Sequence, residues 1–129
     1  MAAESLRCKE CSAEYPLHAH YFCENCFGPL EVTYDFSGLD AEAARRRIQA
    51  GPAGIWRYAD FLPFDKRPTD ALQPGMTPLI RADRLAERLG LDAELWVKND
   101  AANPSHSFKD RVVSVALAKA RDLGFKTVA

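Results

Sequence analysis

The sequence predicts an α/β chain in two unlike parts: a small β module built on cysteines, then the start of a parallel α/β domain. Three observations carry this reading. All four cysteines fall within residues 1–36, in two C-x2-C pairs. Residues 37–75 are rich in proline and aromatic residues and hold no long regular pattern. From residue 76 onward, short apolar runs alternate with amphipathic helical runs in the order strand, helix, strand, helix, strand, the rhythm of a parallel sheet.

Composition bounds the function classes. The chain has 129 residues, 47% hydrophobic and 27% charged, which is ordinary for a globular protein. With 17 basic and 18 acidic residues the net charge is −1, so nothing favours general binding to nucleic acid or to an anionic membrane. Arg45, Arg46 and Arg47 form the one basic run, read as a solvated helix face with partners one turn away. No stretch of apolar residues is long enough to span a bilayer, and MAAESLRCKECSAEY lacks the pattern of a signal peptide. A cytoplasmic location is expected.

In residues 1–36, short β-like runs are expected at Tyr15 to Leu17, His20 to Phe22 and Leu30 to Tyr34. CKEC at 8–11 and CENC at 23–26 give two tight pairs separated by 11 residues. Two such knuckles facing one another make a tetrahedral sulfur site suited to Zn(II), with Cys8, Cys11, Cys23 and Cys26 as ligands. A region this small holds little core, so bound metal would contribute its folding energy. Disulfides and a redox C-x2-C are the competing readings; the first suits a secreted chain and the second a cysteine at the start of a long helix. His18 and His20 alternate between the pairs, as substitute ligands or as surface residues. A closed four-sulfur shell leaves no open position, so the metal would be structural.

In the connector, Asp40 is placed to cap a helix running through Gln49 and ending at Gly51-Pro52. Pro63, Pro68, Pro74 and Gly75 then preclude a long helix. Trp56, Tyr58, Phe61 and Phe64 mark this connector as packed against a larger body.

From residue 76, TPLI is expected as a strand, ADRLAERLG as a helix stopped by Gly90, ELWV as a strand, VVSVALAKARDLG as a helix stopped by Gly124, and KTVA as the opening of another strand. A parallel sheet needs helices on both faces, which about 55 residues cannot supply. The domain is therefore read as cut short.

Between ELWV and the last helix lies NPSHSFKDR, residues 103–111. Ser105 or Ser107 can cap the helix, placing Phe108, Lys109 and Asp110 in its first turn. Asp110 suits the positive helix end, and Lys109 does not. Its charged form is disfavoured there, and a neutral amine is nucleophilic toward an aldehyde. Helix N-termini also attract phosphate. The competing reading is an exposed lysine tethered to Asp110.

LWVKNDAANPSHSFKDRVVSVALAKA resembles the pyridoxal-phosphate segment of the fold type II (tryptophan-synthase β-like) enzymes, and of threonine synthases in particular. In that family a strand is followed by N-P-[TS]-x-S-F-K-D-R and a helix, and Asn103, Pro104, Ser105, Ser107, Phe108, Lys109, Asp110 and Arg111 stand in that order. GMTPLI at 75–80 is similar to the family's upstream G-x-T-P-L. The cysteine module resembles an N-terminal extension of some threonine synthases. His106 and Val112 depart from the pattern, standing where glycine is frequent.

The resemblance implies a zinc-ribbon-like β module (1–36), a connector (37–75) packed on the main domain, and the truncated start of a fold type II parallel α/β domain (76–129). It implies that Lys109 carries pyridoxal 5'-phosphate as a Schiff base and that O-phospho-L-homoserine and water become L-threonine and phosphate. Phe108 is placed beside the cofactor, or in helix-to-sheet packing. Lys98, at the end of a strand, either meets substrate phosphate or makes a salt bridge, and His106 is an acid–base group or a loop residue. A homodimeric parent is expected. Cysteate synthase, threonine dehydratase and diaminopropionate ammonia-lyase share this architecture, and a zinc-ribbon binding module without chemistry is a rival that leaves SFKDR unexplained. The family's serine-rich asparagine loop and glycine-rich phosphate loop do not occur within the 129 residues, so this chain alone is expected to be inactive.

Overall fold

A computed structural model describes residues 3–64, 68 and 71–128. The cysteine region is a three-stranded antiparallel sheet in the order β2-β1-β3, from β1 (Ala3–Cys8), β2 (Glu14–Tyr15) and β3 (Leu30–Tyr34). Strand β1 is central. Leu6 faces Tyr15 on one side and Val32 on the other, and Cys8 pairs with Leu30. The Ser5 and Thr33 hydroxyls meet at 2.8 Å across the sheet. β1 carries no apolar run, so no strand was expected there. The expected strand at His20–Phe22 does not form, because that stretch is spent on bends leading into the second cysteine turn. Only Tyr15 of the expected Tyr15–Leu17 run is in a strand; Pro16, which has no N–H for a ladder, follows it.

The connector helix α1 (Ala41–Ala50) forms as expected. Asp40 caps it, Oδ1 accepting from the Ala43 amide at 3.0 Å. Arg47 pairs with Asp60 at 2.8 Å, outside its own helix, while Arg45 and Arg46 are exposed. A 3-10 segment (Ile55–Phe61) follows. Trp56 is its anchor: 1% exposed, edge-on to Phe64, with Nε1 donating to the Leu72 carbonyl at 2.6 Å. Gly54 (φ 119°) allows the Ile55 amide to reach the Pro74 carbonyl at 2.7 Å, where any side chain would strike that oxygen. The connector is thus fastened to the segment leading into GMT, though Tyr58 remains 45% exposed. Residues 65–67 and 69–70 of the proline-bearing stretch lie outside the described residues.

The last part holds β4 (Leu79–Arg81), α2 (Asp83–Arg88), β5 (Trp96–Lys98), a 3-10 turn (Asp100–Ala102) and α3 (Asp110–Asp122). The expected parallel pairing is corrected: β4 and β5 are antiparallel, with Leu79 opposite Lys98 and Arg81 opposite Trp96. The six-residue α2 ends at Gly90 in the left-handed region (φ 64°), and the Ala82 amide already bonds the Leu95 carbonyl at 2.9 Å. The link therefore works as a long hairpin and not as a crossover, which needs a helix that runs back along the strand. Residues 125–128 form no strand, and Ala129 lies outside the described residues. The chain is mixed α/β. Among the described residues no helix is long and apolar enough to cross a membrane.

Candidate functional site

The four cysteines converge. Their sulfurs all lie within 4.8 Å of one another, Cys8 Sγ to Cys26 Sγ and Cys11 Sγ to Cys23 Sγ each at 3.5 Å. The two turns repeat one backbone pattern. In the first, the Ser12 amide bonds the Cys8 carbonyl (3.1 Å) and the Cys8 amide bonds the Ala13 carbonyl (2.9 Å). In the second, Phe27 bonds Cys23 (2.8 Å) and Cys23 bonds Gly28 (2.9 Å). Ser12 (φ 62°) and Phe27 (φ 60°) hold the same left-handed position, strained for residues with a side chain. A Cβ at Gly28 would lie 2.8 Å from Glu10 Cγ and 3.0 Å from Cys8 Sγ, so a side chain there would press on the cluster.

The thiols differ within each pair. The Cys11 amide, with that of Glu10, holds Cys8 below its ordinary range. The Tyr15 hydroxyl, 3.1 Å from Cys23 Sγ, brings that thiol down to about 6. The Ala13 and Gly28 amides act to lower Cys11 and Cys26, but proton sharing with neighbouring sulfurs outweighs them; Cys11 is raised and Cys26 is pushed up to about 12. Four crowded sulfurs resist ionising together, and a dication among them would remove that resistance. His18 and His20 are not in the cluster. His18 is exposed, and the His20 ring lies tilted against Tyr15 with Nδ1 3.6 Å from Glu24.

The lysine segment is built differently. The loop from Asn99 to Ser107 leads into α3, which begins at Asp110 with Lys109 just before it in helical backbone (φ −63°, ψ −21°). Of the two serines expected as caps, Ser107 makes a cap-like bond just ahead of α3 and Ser105 does not. Ser107 Oγ accepts the Lys109 amide at 3.2 Å, whereas Ser105 is a donor: its amide (2.7 Å) and hydroxyl both bond the Asp110 carboxylate. These two bonds hold Asp110, 8% exposed, below the usual carboxylate range. Asp110 therefore ties the loop to the helix, which its sequence position did not reveal.

Behind the lysine is a polar junction. Arg111 engages both oxygens of Asp100, Nη1 on Oδ2 and Nη2 on Oδ1 at 2.9 Å. Thr77, 5% exposed, donates to Asp100 Oδ1 at 2.7 Å. Arg111, then Thr77, bring the Asp100 carboxyl from 3.8 down to about 2. Asn103, 2% exposed, accepts the Gly75 amide at 2.9 Å and donates to the Asp100 carbonyl at 3.0 Å. Lys98 Nζ reaches the Thr77 carbonyl at 2.5 Å. A cavity of about 370 Å³ opens beside Lys98 and Arg111, lined also by Tyr58 and Met76.

Lys109 is exposed; its amine lies 5.5 Å from the centre of the Phe108 ring, and no hydrogen bond or ion pair holds it among the described residues. Phe108 is 65% exposed and Val112 likewise, so neither lies in a core here. His106 occupies the left-handed region (φ 59°), the conformation that favours glycine, and its Nδ1 is 2.7 Å from the Ala101 carbonyl. A carbonyl only accepts, so Nδ1 carries the proton in this contact.

Comparison with known proteins shows what this chain is similar to. Residues 71–129 match the family described as pyridoxal-phosphate dependent enzyme. The chain is similar to the threonine synthase of Methanosarcina acetivorans, 41% identical over 125 residues, covering 96% of this chain and 30% of that protein. The threonine synthase of Methanocaldococcus jannaschii is 36% identical over 123 residues, covering 95% of this chain and 30% of the relative. That of Synechocystis is 44% identical over 75 residues, 57% of this chain and 20% of the relative. No solved structure matches. The chain spans about 30% of the length of the first two relatives. It is similar to threonine synthases over nearly all its residues, and residues 71–129 resemble the pyridoxal-phosphate dependent enzyme family.

Proposed function

We propose that this chain is part of a pyridoxal-phosphate-dependent threonine synthase, a lyase that converts O-phospho-L-homoserine and water to L-threonine and phosphate. One observation carries the reading. Within the matched segment, Lys109 offers an amine engaged by no hydrogen bond or ion pair among the described residues, while the side chains of Ser107, Asp110 and Arg111 near it are bonded to the chain. That is the state an aldehyde-binding lysine needs.

Pyridoxal phosphate, when bound, supplies an electron sink for negative charge at the substrate's α carbon. Lys109 would hold the cofactor's aldehyde carbon and, once released, move protons at the substrate's α and β carbons. Phe108, beside the lysine, would lie against the cofactor. Phosphate would leave from Cγ and water would add at Cβ. The relatives that align with both regions of the chain carry the name threonine synthase, which favours this reaction over other fold type II reactions.

The cysteine cluster would hold one structural zinc. With Zn–S near 2.3 Å, a tetrahedral site has sulfur–sulfur edges of about 3.8 Å, and the two contacts between turns are 3.5 Å. Two matched turns, each supplying two sulfurs, fit that geometry.

Borohydride reduction of the full-length protein with pyridoxal phosphate, followed by peptide mapping, tests the reading directly. The label is expected on Lys109, and the same preparation is expected to turn over O-phosphohomoserine. A label on Lys98, or on a lysine outside this chain, would refute the assignment.

A further inference from the structure

Lys109 and Arg111 sit two residues apart at the start of α3. Two steps along a helix turn the side-chain direction by about 200°, so the pair leave the helix on nearly opposite sides. Arg111 points back into the junction with Thr77 and Asp100. Lys109 points away from it, and its amine is exposed. The junction joins three stretches that are distant in sequence: Gly75 to Thr77, Lys98 to Asn103, and the first turn of α3.

The form of this contact matters. The side chains of Arg111 and Asp100 are 30% and 25% exposed, and a partly solvated ion pair contributes little to stability. A guanidinium fork on both oxygens of a carboxylate, however, fixes orientation as well as distance. Thr77 donates to the same carboxylate and lies 3.4 Å from Arg111 Nη2, so it restricts both partners. We infer that Asp100 and Arg111, with Thr77 as third member, are positioning residues that set where Lys109 stands relative to the β4–β5 pair. This rests on Lys109 being the cofactor lysine proposed above. The ion pair acts through the helix turn that carries the lysine.

The test uses two charge-conserving variants of the full-length protein. Arg111→Lys removes the fork, and Asp100→Glu shifts it by one methylene. Three quantities are measured: the rate and yield of borohydride-trapped label on Lys109, kcat and KM for O-phosphohomoserine at saturating cofactor, and the melting temperature without cofactor. Both variants are expected to take the label on Lys109, more slowly than wild type. kcat should fall about 100-fold, the cost of roughly 1 Å of misplacement, with KM changed less than about threefold. Wild-type labelling rate and kcat per labelled molecule, beside a lowered melting temperature, would overturn the inference and leave a structural contact only. Should one variant not fold, the other decides by the same readings; Thr77→Val, which leaves the ion pair intact, is expected to lower kcat by a smaller factor. Absence of label on wild-type Lys109 would overturn the functional reading and this inference together, which separates the two kinds of failure.

Discussion

The cysteine region and the lysine segment place chemistry in opposite ways. The cysteines close on themselves: two turns with the same hydrogen bonds bring four sulfurs within 4.8 Å, and residues 8–28 supply all of them. The lysine segment fastens the polar side chains near its lysine and leaves the lysine amine unfastened. Asp110 is tied to Ser105, Arg111 to Asp100 and Asn103 to Gly75, while the Lys109 amine stays in the open. Large apolar side chains of this last part of the chain are exposed as well, including Ile80, Trp96, Val97, Val112 and Val113. A closed ligand shell suits a structural role. A fixed frame around an open amine suits a reaction with something that arrives.

The largest effect that could break this comparison comes from removing the metal proposed for the first region. Protein purified without chelator is expected to contain about one zinc per chain. Chelation, or Cys8→Ser, should remove protection from hydrogen exchange across β1 to β3, because among the described residues of this region only Cys8 and Cys23 form buried hydrophobic core. Helix α3 should keep its protection. Loss of both together would show the regions to be one cooperative unit. The place to look for coupling is the small cleft where Leu6, Leu17 and Val32 face Pro63, Lys119 and Leu123.

Next in size is Lys109→Ala. It should abolish the trapped label while leaving zinc content unchanged, since the two sites share no residue. Residual label elsewhere in the chain, or a parallel loss of zinc, would be read by peptide mapping and metal analysis of one sample.

Acid tests the frame itself. The folded Asp100 carboxyl stands at about 2, below its ordinary 3.8. Its contribution is therefore complete above pH 3.8 and lost as the pH falls through about 2. Amide exchange at the start of α3 is expected to rise over that window in the wild type. Asp100→Asn should show the faster exchange at every pH, the two proteins converging below pH 2. A wild-type profile flat across the window would show that the ion pair does not hold the turn.

How much of this was legible depended on whether the signal was local. The C-x2-C pairs, the Asp40 cap, and Gly90 and Gly124 as helix stops are each written in a few adjacent residues, and each appears in the structure where local chemistry puts it. The pairing sense of β4 and β5 was not legible. Both are three-residue strands, and only the shortness of α2 separates a long hairpin from a crossover. The Thr77–Asp100–Arg111 junction spans 34 positions in sequence, and single unlike charges in polar loops carry no partner label. Asp110 was read as a complement to the helix dipole; its bonds to Ser105 follow from a loop conformation that spacing does not specify.

The smallest expected effect concerns His106, where the sequence departs from a family position often held by glycine. Its left-handed backbone costs a residue with a side chain about 1–2 kcal/mol, and its ring returns part of that through the bond to the Ala101 carbonyl. A net hydrogen bond is worth about 1 kcal/mol. His106→Gly removes both the strain and the bond, so its change in stability should stay within about 1 kcal/mol of zero. His106→Val loses the bond and keeps a worse strain, because a β-branched residue is least tolerant of positive φ. It should be the more destabilising of the two, by about 1–2 kcal/mol beyond the glycine variant. Denaturant melts of the three proteins give the order. If valine proves equal to glycine, the loop has relaxed out of the left-handed region and does not hold the approach to Lys109 in this form. If glycine is clearly worse than wild type, the Ala101 bond outweighs the strain. In that case the histidine counts among the contacts that make the lysine segment a rigid frame, as the matched turns do for the cysteines.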